Sequence, residues 1–172
     1  MGPGVGGRRA KFTEISDEEW ERHLRTNVTG AFYAARGVAP DMLAAGWGRI
    51  IMIASVSSRV PAPYTAAYTA SKHALLGLTR SLALEYAGRG ITANAICPGF
   101  LDTKMTEETI ANIVARTRRT AEDARKVLEG LSPQKRLFTP DEVASVAVFL
   151  CSDAPRRRGA STARASCWTA AP

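Results

Sequence analysis

The chain has 172 residues, the size of one domain, and 45% of them are hydrophobic, enough to bury a core and to exclude wholesale disorder. No run approaches the roughly 18 apolar residues of a membrane span, and the opening MGPGVGGRRAKF has no apolar stretch after its basic residues, so neither a span nor a secretory signal is expected and the cytoplasm is the expected location. Arg156, Arg157, Arg158 and Arg164 in residues 156–172, with no acid among them, take +4 of the net +7 and leave +3 on the body, a basic tail rather than a nucleic-acid-binding face.

Residues 1–12 are Gly-rich and irregular. Ser16, followed by Asp17, Glu18 and Glu19, is a helix N-cap with a glutamate three residues on. The spacing of Trp20, Leu24, Asn27/Val28, Ala31/Phe32, Ala35 and Val38/Ala39 predicts a long helix. Pro40 predicts a kink or break in it, and Gly46-Trp47-Gly48 ends it. Ile50-Ile51-Met52-Ile53 reads as a strand buried on both faces. Ser55 to Pro63 is a polar loop. Residues 66–87 form a second helix with Leu75, Leu78, Leu82 and Tyr86 on one face, stopped by Gly88 and Gly90. Ile91 to Ile96 is a second buried strand, broken by Pro98-Gly99, and a polar helical region runs from about Thr106 to Leu131. Thr139 caps a further helix with Pro140 at its first position and Val143, Val146, Ala147 and Leu150 on its apolar face. After Cys151 no period of 2 or 3.6 is present.

This alternation of helix and strand predicts an α/β architecture. Two strands cannot make a stable sheet layer between helices, so the chain reads as part of a doubly wound parallel domain. It divides into the start at 1–12, a catalytic portion at 13–153 and a disordered basic tail at 154–172. Cys97, Cys151 and Cys167 are odd in number and lack metal spacing, and His23 and His73 sit on helices away from them, so no metal site is expected.

Tyr68 and Lys72, in YTASK, lie one helical turn apart and share a face. A phenol near pKa ~10 is a poor acid/base at neutral pH. An ammonium beside it stabilises the phenolate and lowers that value, giving a pair able to exchange a proton with a substrate oxygen. Any amphipathic helix can hold the same pair idly. Ser55 follows a parallel strand, at the carboxyl end where such sheets bind ligands, and its hydroxyl can reach a carbonyl oxygen or merely cap a turn. Asn27 is a poor helix former in mid-helix; its amide either holds water or a kink, or is simply exposed or satisfied in the core. Pro98 and Gly99 stiffen a turn and let backbone approach a flat ring, and Thr103 adds a hydroxyl.

Taken in order, these residues resemble the short-chain dehydrogenase/reductase family over about residues 12–153. NVTG resembles the family's N-x-x-G, IASVS its strand-end serine motif, YTASK its Y-x-x-x-K, and NAICPG its N-x-x-x-P-G; Ser55 stands 13 residues before Tyr68, the family's usual gap. The resemblance implies a Rossmann-like sheet and an NAD- or NADP-dependent oxidoreductase acting on a carbonyl or alcohol, closest to the 3-oxoacyl and 3-hydroxyacyl type. It makes Asn27 the holder of a water in a proton relay, Ser55 the group that orients substrate oxygen, and Tyr68 the acid/base. Lys72 becomes the ribose-binding lysine, Pro98 and Gly99 face the nicotinamide, and Thr103 contacts its amide or the phosphates. Residues 103–135 match the family's mobile substrate loop, and a homo-oligomer is implied.

The chain departs from the family at both ends. No strand–G-x-x-x-G-x-G–helix unit, which receives the pyrophosphate on helix amides, occurs in the sequence; Gly4 falls about where the N-A-G glycine would stand. A polypeptide lacking the first strands and the last strand, weak in cofactor binding, is therefore expected, with an inactive self-associating remnant as the other reading. Residues from about Pro155 read as the product of a shifted frame. Starting two bases later, any Cys167 codon before the Trp168 codon gives Leu, and Trp168 before Thr169 gives Asp, as in the family's final Leu-Asp-Gly-Gly. A basic tail with its own binding function is the alternative.

Overall fold

A computed structural model describes residues 10–152 and the backbone of residues 167 and 168. The Gly-rich start, including Gly4, lies outside the described residues, as does most of the segment expected to be a disordered, frame-shifted tail.

Ser16 caps α1 (Asp17–Leu24), its hydroxyl accepting the Glu19 N–H at 3.2 Å. The chain then widens into a π-helical turn, Arg25–Thr29, before continuing as α2 (Gly30–Ala45). Asn27 is the buried residue of that turn. The irregularity in the long helix thus falls at Asn27 and not at Pro40, where a break was expected; Pro40 lies inside α2. Proline's fixed φ suits a helix, and its cost there is confined to one hydrogen bond and a local clash. A left-handed Gly46 (φ 61°) closes α2.

β1 (Gly48–Ile53) and β2 (Ile91–Ile96) pair in parallel, Gly48 opposite Ile91 through Ile53 opposite Ile96, and α3 (Ala66–Glu85) connects them. Their entries are packed tightly: Gly90 has φ 76°, and a Cβ there would stand 1.9 Å from Gly46 O. One face of the sheet carries the core, where Ile50, Met52, Ile91, Ala93 and Ala95 meet Ala35 of α2 and Leu75, Leu76 and Ala83 of α3. The opposite face is only partly covered. Ile51 is half-buried and Ile53 is 42% exposed, so β1 is not buried on both faces as its apolar run predicted. α6 (Pro140–Cys151) touches both strands, adds no residue to this core and buries none of its side chains completely. Its start matches the sequence reading: Thr139 accepts the Glu142 N–H, and Glu142 accepts the Thr139 N–H.

Two further helices, α4 (Lys104–Arg116) and α5 (Ala121–Gly130), form a hairpin with its own small core of Ile110, Ala124, Leu128 and Leu137. A parallel bridge between Leu101 and Phe138 pins its two ends together. Cys167–Trp168 forms a two-residue strand, β3, parallel to β2. A short strand thus occurs where the sequence carries no strand pattern. Backbone groups alone make such a pairing, so no side-chain period is needed to reveal it. Cys97 is disulfide-bonded, which the odd cysteine count did not suggest, and Cys151 is free. Among the described residues no helix is long and apolar enough to cross a membrane, and no group of three or more His, Cys, Asp or Glu could hold a metal ion.

Candidate active site

The ladder between β1 and β2 continues past their ends: Ala54 N–H donates to Ile96 O at 2.7 Å and Val56 N–H to Pro98 O at 2.9 Å. This sets Ser55 beside Pro98 at the carboxyl edge of the sheet. Ser55 is buried, and a tight turn fixes it. Its Oγ accepts the Ser57 N–H at 3.1 Å, and its own N–H donates to Ser58 Oγ at 3.3 Å. Ser55 is thus a turn cap, and its hydroxyl is close enough to the Tyr68 phenol to act on its proton affinity.

Tyr68 and Lys72 stand on the first turns of α3, with Lys72 Nζ 5.7 Å from the Tyr68 ring centroid. Lys72 is buried and donates to Ile53 O at 3.0 Å. Burial pulls its ammonium down to about 8. Burial pushes the Tyr68 phenol up, against the Ser55 hydrogen bond. The expectation that Lys72 lowers Tyr68 is corrected: loss of solvent around the phenol dominates, and the opposing group is Ser55.

Asn27 reaches the same cluster from the π-turn. Its Nδ2 donates to Ser71 Oγ at 3.0 Å, and Ser71 Oγ donates to Tyr68 O at 2.7 Å. One turn before Asn27, His23 is 1% exposed and packs edge-on to the Tyr68 ring, centroids 6.1 Å apart. Ser71 was not singled out from the sequence, and His23 was weighed there only as a metal ligand. The available signals were their spacings, four residues before Asn27 and three after Tyr68.

Gly99 and Thr103 lie further along the same edge, and among the described residues no hydrogen bond joins them to this cluster. A Cβ on Gly99 would meet only Phe138 at 3.9 Å, ordinary contact, so the chain's own packing does not demand glycine there. Thr103 opens α4 without capping it by its side chain. The structure therefore joins Ser55, Tyr68, Lys72 and, through Ser71, Asn27; it sets Pro98 alongside and leaves Gly99 and Thr103 as an adjoining wall.

The model of a family described as enoyl-(acyl carrier protein) reductase matches residues 3–160. The chain belongs to the short-chain dehydrogenase/reductase family. The D-beta-hydroxybutyrate dehydrogenase of Rhizobium meliloti is 39% identical to it over 163 residues, covering 93% of this chain and 63% of that protein. Among solved structures, levodione reductase superposes with a TM-score of 0.81 at 30% identity, covering 88% of this chain and 57% of that one. A variant of actinorhodin polyketide ketoreductase with NADPH gives 0.79 at 35% identity, covering 87% and 59%. The chain thus spans about three fifths of the length of these short-chain dehydrogenase/reductase relatives.

Proposed function

We propose that the chain is the catalytic portion of an NAD(P)-dependent oxidoreductase, exchanging hydride between nicotinamide and a carbonyl or hydroxyl carbon, with Tyr68 as the acid/base. The observation that carries this reading is the convergence of Ser55, Tyr68 and Lys72 at the carboxyl edge of a parallel sheet. The room beside Gly99, where a Cβ would meet Phe138 only at ordinary contact distance, and the Thr103 hydroxyl, which caps no helix, fit a flat ring and its amide, with Pro98 alongside.

Nicotinamide, when bound, supplies or accepts the hydride at the substrate carbon. Tyr68, kept protonated at neutral pH by burial, donates from Oη to the substrate oxygen in reduction and takes the proton back in oxidation. Ser55 Oγ hydrogen-bonds that oxygen and orients it. Lys72 has two N–H donors beyond the one given to Ile53 O, free to hold a ribose hydroxyl. Asn27 holds the turn through Ser71 and carries a relay water. The substrate class is a 3-oxoacyl or 3-hydroxyacyl compound, supported by the D-beta-hydroxybutyrate dehydrogenase relative. Residues 103–135 act as the substrate loop, and the location is cytoplasmic.

Two observations bear on the 172-residue polypeptide by itself. It contains no glycine-rich phosphate-binding unit, so on its own it binds dinucleotide weakly and turns over nothing measurable. α2 exposes Phe32 and Tyr33, with Arg36 stacked on both rings, a surface suited to a homo-oligomer contact. Micromolar affinity for either dinucleotide by isothermal titration would overturn the first statement, and a sharp monomer peak in gel filtration the second. Joined to the family's phosphate-binding unit, the protein reduces carbonyls, and Tyr68→Phe lowers kcat by about 10²- to 10⁴-fold with the fold intact; near-parental kcat in that variant rejects Tyr68 as acid/base.

A further inference from the structure

His23 Nδ1 is a buried side-chain atom with no hydrogen-bond partner, the only one so recorded among the described residues. Leaving such an atom unpaired is costly, and an apolar side chain would fill the position without that cost. The Asn27 amide one turn later donates to Ser71 Oγ, whereas His23 Nδ1 has no such partner. Burial holds the imidazole below its ordinary value, hence neutral at pH 7, with one ring nitrogen free to accept.

A second deficit lies nearby, at the start of α3, which lines the same cavity. The 20-residue helix α3 begins at Thr65 with no side-chain cap, and the Thr65 hydroxyl is spent on Ala62 O. The first N–H groups of a helix have no partner within it. A cavity of about 10 Å³ has His23 and Thr65, Ala66, Ala67 and Tyr68 of this helix start among its lining residues, with Glu19. That volume takes about one water. An acceptor and amide donors around one cavity are what a single water satisfies, by donating to the imidazole and accepting from the helix.

We propose that His23 Nδ1 and the first turn of α3 bind one internal water in this cavity, and that through it His23 is a positioning residue for Tyr68. The water is a shared cap between α1 and α3, distinct from the relay water at Asn27. It fixes the turn that carries Tyr68, while the imidazole edge limits tilting of the phenol ring. The positioning role rests on the acid/base reading of Tyr68; the water site does not.

The test is NMR on the full chain, wild type and His23→Leu, with His23→Gln as a second variant that keeps a polar side chain. Expected in the wild type are cross-peaks between long-lived water and the Ala66 and Ala67 amides, and an Nε2–H tautomer with Nδ1 accepting. In His23→Leu the water cross-peaks disappear, and the Tyr68 ring signals broaden or shift at least twice as far as those of Tyr86, which lies at the far end of α3. His23→Gln restores part of both. If the wild type lacks the water cross-peaks or carries its proton on Nδ1, the water site is wrong. If the water is present but the Tyr68 signals are unmoved in His23→Leu, the positioning role is wrong. Should His23→Leu fail to fold, the wild-type tautomer and cross-peaks decide the site, and His23→Gln decides the role. Retained activity in Tyr68→Phe would remove the acid/base reading and leave the water result standing.

Discussion

Helix α3 and the α4–α5 hairpin both border the carboxyl edge of the sheet, and they are held in opposite ways. α3 buries Ala67, Ser71, Lys72, Leu75, Leu76, Thr79 and Ala83 against strands and α1, and its site side chains are tied by hydrogen bonds to Ile53 and Asn27. The hairpin buries four side chains of its own, while its ion pairs are exposed. One region is a platform that fixes the acid/base pair. The other is a small unit attached at the Leu101–Phe138 bridge, with the few buried contacts expected of a locally opening segment.

The sharpest way to break this comparison is to hollow out each region in turn. Leu75 and Leu128 are almost equally buried, 3% and 2% exposed. Leu75→Ala should remove about 2–5 kcal/mol from global stability. Leu128→Ala should act chiefly on the hairpin, with hydrogen exchange accelerated in residues 104–130 and the main unfolding transition moved less. Equal displacement of a single transition by both variants in chemical denaturation would mean that platform and hairpin are one cooperative unit.

The buried ammonium of Lys72 marks the platform in a second way. Its value of about 8 lies below that of an unfolded lysine, near 10.4. Between these values the unfolded chain holds more protons, so stability must rise with pH across that window. A rise on the order of 1–3 kcal/mol is expected from pH 8 to 10.4, toward the lower figure because the bond to Ile53 O favours the charged form. Lys72→Met should flatten it. A wild-type curve that is flat or falling there would show that the site tolerates the charge.

Two glycines then separate what the fold needs from what a ligand needs. Gly90→Ala places a methyl 1.9 Å from Gly46 O at a positive φ and should cost more than about 1 kcal/mol in thermal unfolding. Gly99→Ala should leave stability within about 0.5 kcal/mol, as for surface changes that create no cavity or strain, yet weaken dinucleotide binding in a chain with the family's phosphate-binding unit. Equal affinity in that variant would move the nicotinamide away from Gly99.

The same division explains what could be read from the sequence. Local chemistry was legible: Ser16 and Thr139 announce helix starts because their hydroxyls bond amides three residues on, and the face of Leu75, Leu78 and Leu82 follows from helical spacing. Ser55, Tyr68 and Lys72 came together as their motif spacing implied. What escaped depends on long-range surroundings. The half-covered face at Ile51 and Ile53 depends on what packs over it, not on the apolar run itself. The raised Tyr68 phenol reflects solvent exclusion, which spacing alone does not weigh against a nearby lysine. Pro40 and Asn27 both weaken a helix, and the choice between them was made by tertiary contact: Asn27 has Ser71 to bond across the packing interface.

The smallest expected effect concerns the link between the two regions. Asp102 follows the Leu101 bridge and precedes Thr103, and its carboxylate meets Arg125 of α5 at 3.0 Å. Arg125 also pairs with Glu129 at 3.3 Å, so removing Asp102 leaves the guanidinium partly satisfied. Both members of the Asp102–Arg125 pair are substantially exposed, which sets its worth at about 0.2–1 kcal/mol rather than the several of a buried pair. Asp102→Asn should therefore change the main unfolding transition hardly at all and speed hydrogen exchange in α5 modestly. The difference from wild type should shrink as ionic strength rises, because exposed charges are screened over about 10 Å at 0.1 M salt. Exchanging the pair, Asp102→Arg with Arg125→Asp, should recover only part of the protection, since the reversed residue at 125 would face Glu129. An α5 effect in Asp102→Asn as large as that of Leu128→Ala, and insensitive to salt, would make this ion pair rather than the small apolar core the element that holds the hairpin to the platform.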